Sequence, residues 1–400
     1  MNITIDELKG KVEDIFREII QIRRDLHRHP ELSEHEECTE RLICTYLEGL
    51  GIPFQNHIAG HGVCGVIYGR NSEQAVGIRA DIDALPIDEK TDLPFRSQNP
   101  GVMHACGHDM HTAILLGTAK ILNDMKDELP FSVKLFFQPS EETIGGARQM
   151  IEAGCLLNPQ ANSVIGLHVA PELKTGSVQF TPGSMNAASC EFYVTVHGRQ
   201  CHGAHPARGT DPLIPACEMV TAVQSLITRK IEPTDSALIT VGQFHSGTKN
   251  NIIPDETDFS GIIRTLRNDQ RSFIKKKLND LCCGIALAHG ASCTVEFFDS
   301  YPALVNDPQL FDIMVRASEE LFGEDNVSIN TVPSLGSDDF SYFCQSAKGL
   351  YFNLGTAAPE DEDAAPVHTS LFCPDENSLK TGILAEVWGV LKIMAFMAMS

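Results

Sequence analysis

SVKLFFQPSEE, residues 132–142, joins an apolar run to a pair of carboxylates, and the predicted fold follows from it. The run at 132–137 is typical of a buried strand, and Glu141 and Glu142 follow where that strand would end. Ligands bind at the carboxyl ends of strands in open α/β sheets, so a site is expected there. Further strands are predicted at 62–68, 74–79 and 163–167.

Polar residues also follow two of these other strands. Asp81 and Asp83 come after residue 79, and His168 comes after residue 167. Because strand ends of this kind meet at one edge of a sheet, we expect these side chains to converge with the two glutamates. The predicted fold class is therefore α/β.

MHACGHDMH, residues 103–111, adds a thiol and an imidazole two residues apart, at Cys106 and His108. From an extended loop, both can turn toward one metal ion, and the glutamate pair can supply a further ligand and a proton carrier. A lone cysteine is more often a buried apolar residue, and a lone histidine a satisfied core residue. Together the motifs favour a metallohydrolase over a structural zinc site, which is usually closed and cysteine-paired.

Length and composition limit the number of domains, the kinds of binding partner and the cellular location that can be expected. The 400 residues exceed the roughly 250–300 of a single core, so about two domains are expected. The 53 acidic and 31 basic residues give a net charge of −22, which disfavours nucleic acid and anionic membranes as partners. Thirteen cysteines without CxxC pairs predict a reducing cytoplasm. With no apolar h-region and no run of roughly 18–20 apolar residues, a soluble, unexported protein is expected.

The pattern changes after Pro182–Gly183, where alternating strands and two helices indicate a smaller α+β unit. After Tyr301–Pro302 the α/β pattern resumes, and the acidic segment 358–366 is expected to be a solvated loop. The predicted domains are 1–185, 186–299 and 300–400, the middle one inserted. The predicted elements after 183 are strands at 190–198, 236–244, 257–265, 292–298 and 349–354, and helices at 211–227, between residues 265 and 292 (a lysine-bearing helix), at 308–322 and from Asn377.

Nine motifs follow one another along the chain: RRDLHRHPELSEHE (23–36), RADIDALP (79–86), MHACGHDMH (103–111), QPSEE (138–142), GLHV (166–169), GRQCHGAHP (198–206), NIIP (251–254), GSDDF (336–340) and HTSLF (368–372). In this collinear order they resemble the M20 metallopeptidase clan. They are most similar to its amidohydrolase branch, which includes aminoacylase-like, hippurate and indoleacetyl-amino-acid hydrolases. The resemblance implies a mixed-sheet catalytic domain with two metal ions, interrupted by a smaller α+β dimerisation domain, and hence a homodimer.

The resemblance also implies which residues bind metal. It assigns two divalent ions per subunit, manganese or zinc first and cobalt or nickel next, and the residue types suit such ions. Asp81, Asp83 and Asp109 could orient the imidazoles, although Asp109 could instead cap a helix. The implied ligands are Cys106, His108, Glu142, His168 and His368.

Catalytic and substrate roles follow from the same resemblance. Glu141 matches the general base, with a solvated neighbour of a ligand as the alternative. His202 matches a histidine that polarises the scissile carbonyl from the partner subunit, while His197 and His205 are expected to be surface or structural. The positions that would hold the substrate carboxylate are Asn251, Arg264 and Gly336, although Arg264 could be a salt-bridged strand residue. Cys201 and Ala207 depart from the commoner family pattern, which leaves the specificity of that loop open.

Three functions are therefore compared. The first is hydrolysis of N-acyl or N-aroyl amino acids to a carboxylate and a free amino acid. The second is a dipeptidase or carboxypeptidase that uses the same two metal ions, and a free amino terminus in the substrate separates it from the first. The third is a non-catalytic metal-binding homologue, which the retention of Glu141 beside five predicted ligands disfavours.

Overall fold

The structure is a computed structural model and describes residues 3–361 and 363–399. The chain divides into two compact units. The first unit comprises the chain up to Gly183, Val305–Val332 and the chain from Asp339, and the second comprises Ser184–Leu304 and Pro333–Asp338. A long middle segment thus separates the two large parts of the first unit.

Both units contain helices and strands, and in the first unit these alternate, as the apolar pattern predicts. The helices are α1 Ile5–Arg28, α2 Glu37–Gly49, α3 His108–Asp124, α4 Ala147–Glu152, α5 Leu213–Lys230, α6 Asn268–Ala288, α7 Pro308–Phe322, α8 Ser341–Ser346 and α9 Ser378–Met397. The strands are β1 Phe54–Ile58, β2 Gly62–Ile67, β3 Asn71–Asp81, β4 Phe131–Gln138, β5 Gln160–Lys174, β6 Val178–Phe180, β7 Ser184–Asn186, β8 Ala188–His197, β9 Cys201–His202, β10 Ala237–Ser246, β11 Ile252–Ile253, β12 Glu256–Thr265, β13 Ser292–Asp299, β14 Leu304–Val305, β15 Val327–Ile329 and β16 Lys348–Ala357.

An eight-stranded mixed sheet forms the centre of the first unit, in the order β1-β2-β4-β3-β5-β16-β6-β15. The four central strands β4, β3, β5 and β16 run parallel to one another. Every residue of β4 is buried, which accounts for its unbroken apolar character. The carboxyl ends of β3 and β4 lie side by side, since Asp81 pairs with Gln138.

Three helices of the first unit pack together against this sheet. α1 begins with a capping box, in which Thr4 accepts from the Glu7 N–H and the Glu7 carboxylate accepts from the Thr4 N–H. α3 and α9 are almost entirely buried, as expected of helices that are apolar around most of their circumference. They approach closely at two glycines: a Cβ on Gly117 would lie 2.6 Å from Ile383 Cδ1, and one on Gly382 would lie 2.5 Å from Ile114 Cδ1.

The second unit has its own sheet and its own apolar core. Its four strands are antiparallel, in the order β10-β12-β8-β13, and the core lies between that sheet and helices α5 and α6. A separate two-stranded ribbon pairs β9 with β11. The boundaries 186–299 of the inserted domain stay a prediction, as does its role in dimerisation.

The α/β fold class with a mixed sheet is confirmed, and α7 spans the predicted residues 308–322. The prediction that the strand before His168 ends at residue 167 is wrong, because β16 continues to pair with β5 as far as Lys174. Glu362 of the acidic segment lies outside the described residues. Along residues 3–361 and 363–399, no helix has the length and apolar character that crossing a membrane requires.

Candidate active site

The five predicted metal ligands lie together in the first unit. Cys106 is central: its Sγ is 3.3 Å from His168 Nε2 and 3.2 Å from His368 Nε2. Glu142 Oε1 lies 3.2 Å from His368 Nε2 and 3.9 Å from His108 Nε2. One thiol, three imidazoles and one carboxylate therefore converge from four separate parts of the chain.

Local backbone geometry places Cys106 and His108. Gly107 between them has φ +83°, and a Cβ there would lie 2.5 Å from Val169 Cγ2. Only glycine adopts this conformation readily and leaves room for the close approach to β5. The Cys-Gly-His sequence therefore turns the thiol and the first residue of α3 toward the same point.

His368 is held by its backbone. Its φ is +63°, in the left-handed region, and its N–H donates to the carbonyl of Ala105 at 2.7 Å. A left-handed non-glycine residue costs about 1–3 kcal/mol and persists where the surroundings fix it. The contact ties the loop after β16 to the residue next to Cys106, which explains how a ligand from near the end of the chain reaches the site.

Hydrogen bonds orient the imidazoles. His168 Nδ1 lies 2.8 Å from the carbonyl of Val169, which can only accept, so Nδ1 carries the hydrogen and Nε2 is available toward Cys106. His108 Nδ1 lies 3.2 Å from Asp83 Oδ1, while its Nε2 is buried without a hydrogen-bond partner. Both rings thus present Nε2 to the centre, as metal-binding histidines commonly do.

Asp83 links two predicted ligands. Its Oδ1 is the partner of His108, and its Oδ2 accepts from the Glu142 N–H at 3.0 Å and from the Ser33 hydroxyl at 2.7 Å. Burial opposes ionisation of this carboxyl, but the hydrogen bond and charge of His108 lower its pKa. Asp83 therefore fixes the ring of one ligand and the backbone of another.

Asp81 is held by Arg79 and His111. Arg79 Nη1 donates to Asp81 Oδ2 at 2.6 Å, and His111 Nδ1 lies 2.5 Å from Asp81 Oδ1. His111 Nε2 accepts from the Val169 N–H at 3.0 Å, so both nitrogens of this ring are occupied. His111 therefore supports the site and is not a candidate ligand.

Asp109 does not cap α3, because the N-cap residue is Gly107 and no side chain bonds to the helix start. Its Oδ2 lies 2.8 Å from both Arg23 Nε and His27 Nδ1. Asp109 therefore orients a histidine outside the predicted ligand set, and it connects α3 to α1. Burial disfavours its charge, yet Arg23 and His27 outweigh this and hold its pKa well below the usual range.

The site concentrates negative charge around buried groups. Burial raises the pKa of the Cys106 thiol well above its usual value, and the charges of Glu142, Glu141 and Asp81 raise it further. Burial opposes the charged form of His108, but Asp81, Asp83 and Glu142 outweigh it and raise its pKa to about 10.

These residues fit divalent metal ions. A thiol, Nε2 atoms and a carboxylate are the donor types that zinc and related ions bind, and the excess of carboxylates favours cations. The buried, unpartnered Nε2 of His108 would gain a partner in a bound ion. Donor atoms of Cys106, His108 and His168 lie within 4.8 Å of one another, as do those of Cys106, Glu142 and His368.

Glu141 lies in the turn after β4 and is 8% exposed. One oxygen of Glu141 lies within 4.8 Å of donor atoms of His108 and Glu142. The turn is anchored at Ser140, whose φ is +58° and whose N–H donates to Glu36 Oε1 at 2.8 Å. A second carboxylate is thus held beside the predicted ligands.

The remaining predicted site residues belong to the second unit. His202 on β9 pairs with Ile252 on β11, and the Asn251 carbonyl accepts from the Gly203 N–H at 2.8 Å. His202 and Asn251 therefore share one exposed ribbon. Arg264 is half-buried on β12 and donates to the Ser189 hydroxyl, while the Gly336 carbonyl accepts from the Ala187 N–H at 2.9 Å.

Sequence reasoning missed several supporting residues. His111 lies three residues after His108 on one helix, so the spacing in MHACGHDMH could have indicated a shared face. Ser33 and His27 gave no such signal, because each reaches the site from a distant segment, whereas Arg79 lies only two residues before its partner Asp81 in the motif RADIDALP. Arg79 also binds Asp339 at 2.9 Å, which explains why an arginine precedes the aspartates of RADIDALP.

Comparison with known proteins identifies the family. The model of peptidase family M20/M25/M40 matches residues 77–386, more than half of the chain. Thermostable carboxypeptidase 1 of Saccharolobus solfataricus is 39% identical over 385 residues, covering 95% of this chain and 96% of its own. Hippurate hydrolase of Campylobacter jejuni is 35% identical over 362 residues, covering 90% and 93%.

A solved structure agrees with both matches. The YXEP protein of Bacillus subtilis, described as a dinuclear metal-binding peptidase of the M20 family, has a TM-score of 0.83 and 30% identity, covering 96% of this chain and 99% of its own. The prediction of a metal-dependent amidohydrolase is confirmed at the level of the family. The chain belongs to peptidase family M20/M25/M40, and within it to the amidohydrolase branch.

Proposed function

We propose that this protein hydrolyses the amide bond of N-acyl or N-aroyl amino acids to give a carboxylate and a free amino acid. Five residues would hold two divalent metal ions: Cys106, His108, Glu142, His168 and His368. The observation that carries the proposal is the position of Cys106 Sγ, 3.3 Å and 3.2 Å from the Nε2 atoms of His168 and His368. Such a cluster brings together the thiol and imidazole donors of a metal centre, and Glu142 adds a carboxylate 3.2 Å from His368.

Glu141 would act as the general base. When bound, the divalent ions supply Lewis acidity that lowers the pKa of water toward neutrality. Glu141 takes one proton from the attacking water and delivers it to the nitrogen of the leaving amino acid as the C–N bond breaks. The buried position of Glu141 beside His108 and Glu142 supports this role.

Residues of the second unit would bind the substrate. His202 would donate to the oxygen of the scissile carbonyl from a partner subunit in a homodimer, which makes that carbonyl more electrophilic. Asn251, Arg264 and Gly336 would hold the carboxylate of the amino acid. The guanidinium of Arg264 and the exposed side chain of Asn251 offer donors that suit a carboxylate.

The choice of substrate rests on relatives. The substrate in the name of hippurate hydrolase, hippurate, is an amino acid whose amino group is acylated. This relative therefore favours N-acyl amino acids as the substrates of the present protein. Thermostable carboxypeptidase 1, at 39% identity, favours peptides as the second candidate. A screen of acetyl, benzoyl and longer-acyl amino acids beside free dipeptides separates the two, because only the dipeptides carry a free amino terminus.

The same screen tests whether turnover requires a metal ion and which ion restores it. Protein stripped with a chelator should lose turnover and recover it with manganese, zinc, cobalt or nickel, manganese or zinc being expected to restore most. The fold should survive stripping, since the large apolar core of the first unit does not depend on two ions. Full turnover in verified metal-free protein would exclude the proposed mechanism.

Replacement of Glu141 by Gln tests the general base. The amide cannot accept the proton, so Glu141→Gln should lose about 100-fold or more of kcat while it keeps its metal. Turnover and metal content per chain are the measurements, and Glu152→Gln, an exposed carboxylate on α4, is the control. Wild-type turnover in Glu141→Gln would remove Glu141 from this role.

We also propose a cytoplasmic location. All thirteen cysteines lie within the part of the chain that the structure describes, and all are free thiols. A reducing compartment keeps such thiols free. Fractionation of the producing cells would test it: recovery of the protein outside the cytoplasmic fraction would contradict the proposal.

A further inference from the structure

A second cluster of histidine and glutamate side chains lies on elements that carry none of the five predicted ligands. Glu40 is in the first turn of α2, His57 is on β1, and His61 precedes β2. His57 Nδ1 lies 2.9 Å from Glu40 Oε1, and His61 Nδ1 lies 2.8 Å from Glu40 Oε2. Each carboxylate oxygen thus faces one imidazole.

The burial of the Glu40 carboxylate favours a positively charged partner. Its side chain is only 5% exposed, whereas that of His61 is 20% exposed and that of His57 is 70% exposed. Within residues 3–361 and 363–399, the side chain of Glu40 contacts these two imidazoles, and no lysine or arginine pairs with it. A buried carboxylate is costly unless it is paired with a cation or coordinates a metal.

The β1–β2 hairpin is shaped to bring both imidazoles to this carboxylate. Pairing shifts register between Gln55 and Ile58, and His57 has φ +55°. The His57 N–H also donates to Glu40 Oε1 at 3.0 Å, which fixes the carboxylate independently of the imidazoles. The orientation of Glu40 would therefore survive if both rings exchanged their hydrogen bonds for a metal ion.

We propose that Glu40, His57 and His61 form a further metal site, for a borderline divalent cation such as zinc. One donor atom from each lies within 4.8 Å of the others. Two imidazoles and one carboxylate are a known zinc ligand set, and the fourth position faces solvent through exposed His57. The two imidazoles contact different oxygens of Glu40, at 2.9 Å and 2.8 Å, so a zinc ion would enter between the three side chains as both hydrogen bonds open.

A double variant tests the site while it preserves the hydrogen bonds. In His57→Asn/His61→Asn, each amide Nδ2 takes the place of the imidazole Nδ1 and can still donate to Glu40, and asparagine tolerates the left-handed conformation at position 57, but both imidazole ligands are gone. The protein is stripped with a chelator, loaded with zinc and freed of unbound metal. The variant should bind one zinc fewer per chain than wild type and should keep its hydrolytic rate.

Two further variants test the role of the carboxylate and provide a control. Glu40→Gln should weaken the affinity of that one zinc at least tenfold, because a neutral amide replaces the anionic ligand. His289→Ala removes a surface imidazole that lies 3.0 Å from a single carboxylate, Glu218, and should leave the zinc count unchanged. Loss of the active-site ions would instead abolish hydrolysis, so the two sites are distinguished.

Diffraction gives a measurement that does not depend on any variant. Crystals of the wild-type protein grown with zinc should show an anomalous peak between Glu40, His57 and His61, roughly 2.0–2.2 Å from the donor atoms. Equal zinc counts in wild type and the double variant, or no peak at this position, would overturn the proposal. The two histidines would then serve only as hydrogen-bond donors to Glu40.

Discussion

Asp83 contacts two predicted metal ligands at once, through His108 Nδ1 and the Glu142 N–H. In Asp83→Asn the amide group cannot accept from all three of its present donors, so one ligand should lose its orientation. We expect metal affinity to fall by roughly 10- to 100-fold, as for other residues that orient ligands. Competition with a chelator measures this. Asp92→Asn, at an exposed position, is the control, and unchanged affinity in Asp83→Asn would contradict the assignment.

Glu386 is a buried carboxyl that the active site does not use. It is 1% exposed, accepts from the Thr118 hydroxyl at 2.7 Å, and burial raises its pKa to about 8. The folded protein therefore holds a proton that the unfolded chain releases above about pH 4.5, so the free energy of unfolding falls as pH rises from about 4.5 to 8.

Replacement of this carboxyl should remove its contribution to the pH dependence of the free energy of unfolding. Between pH 5 and pH 8, wild type should lose roughly 2–4 kcal/mol of stability that Glu386→Gln does not lose. Denaturant unfolding at the two pH values measures the difference. Glu48→Gln, exposed on α2, should follow wild type. Identical pH profiles for wild type and Glu386→Gln would show that Glu386 ionises without cost.

At the scale of elements, the contact between α3 and α9 depends on reciprocal glycines. Alanine at Gly117 gains up to about 1 kcal/mol of helix propensity, but its Cβ would lie 2.6 Å from Ile383 Cδ1 in a fully buried contact. We expect Gly117→Ala to destabilise the protein by about 1–2 kcal/mol. Gly10→Ala on α1 meets nothing within 4 Å and should stabilise by about 0.5–1 kcal/mol. Equal effects of the two substitutions in unfolding experiments would contradict this account.

Elements with local signals could be predicted from the sequence, and those that depend on distant partners could not. The buried run of β4 and the helix α7, with Asp307 as its N-cap, are recognisable within a few residues. The extent of β5 depends on β16, which lies nearly two hundred residues later. The same holds at the site: motifs indicated Cys106 and His108, whereas the contacts of Ser33 with Asp83 and of Arg79 with Asp339 follow from tertiary packing.

At the scale of the whole molecule, the proposed dimer predicts complementation between inactive chains. If His202 serves the partner's site, a mixture of Glu141→Gln and His202→Ala chains contains heterodimers with one complete site. Equal mixing with random exchange makes about half the dimers heterodimers, so about a quarter of wild-type activity should return. Turnover of the mixture measures it, with each variant alone as control. Proven exchange without recovered activity would mean that His202 acts within its own chain or not at all.

The position of β16 between β5 and β6 has a consequence for synthesis on the ribosome. The nascent chain makes β5 and β6 first, then the whole of Ser184–Leu304, and only later the strand that joins them. The middle segment is continuous in sequence and carries its own core, so it can fold as soon as it emerges. The large sheet must instead keep an open edge on β5 until residues 348–357 arrive. A ribosome stalled before that point would therefore hold a finished second unit beside an exposed, aggregation-prone strand edge, and His368 would not yet have been added.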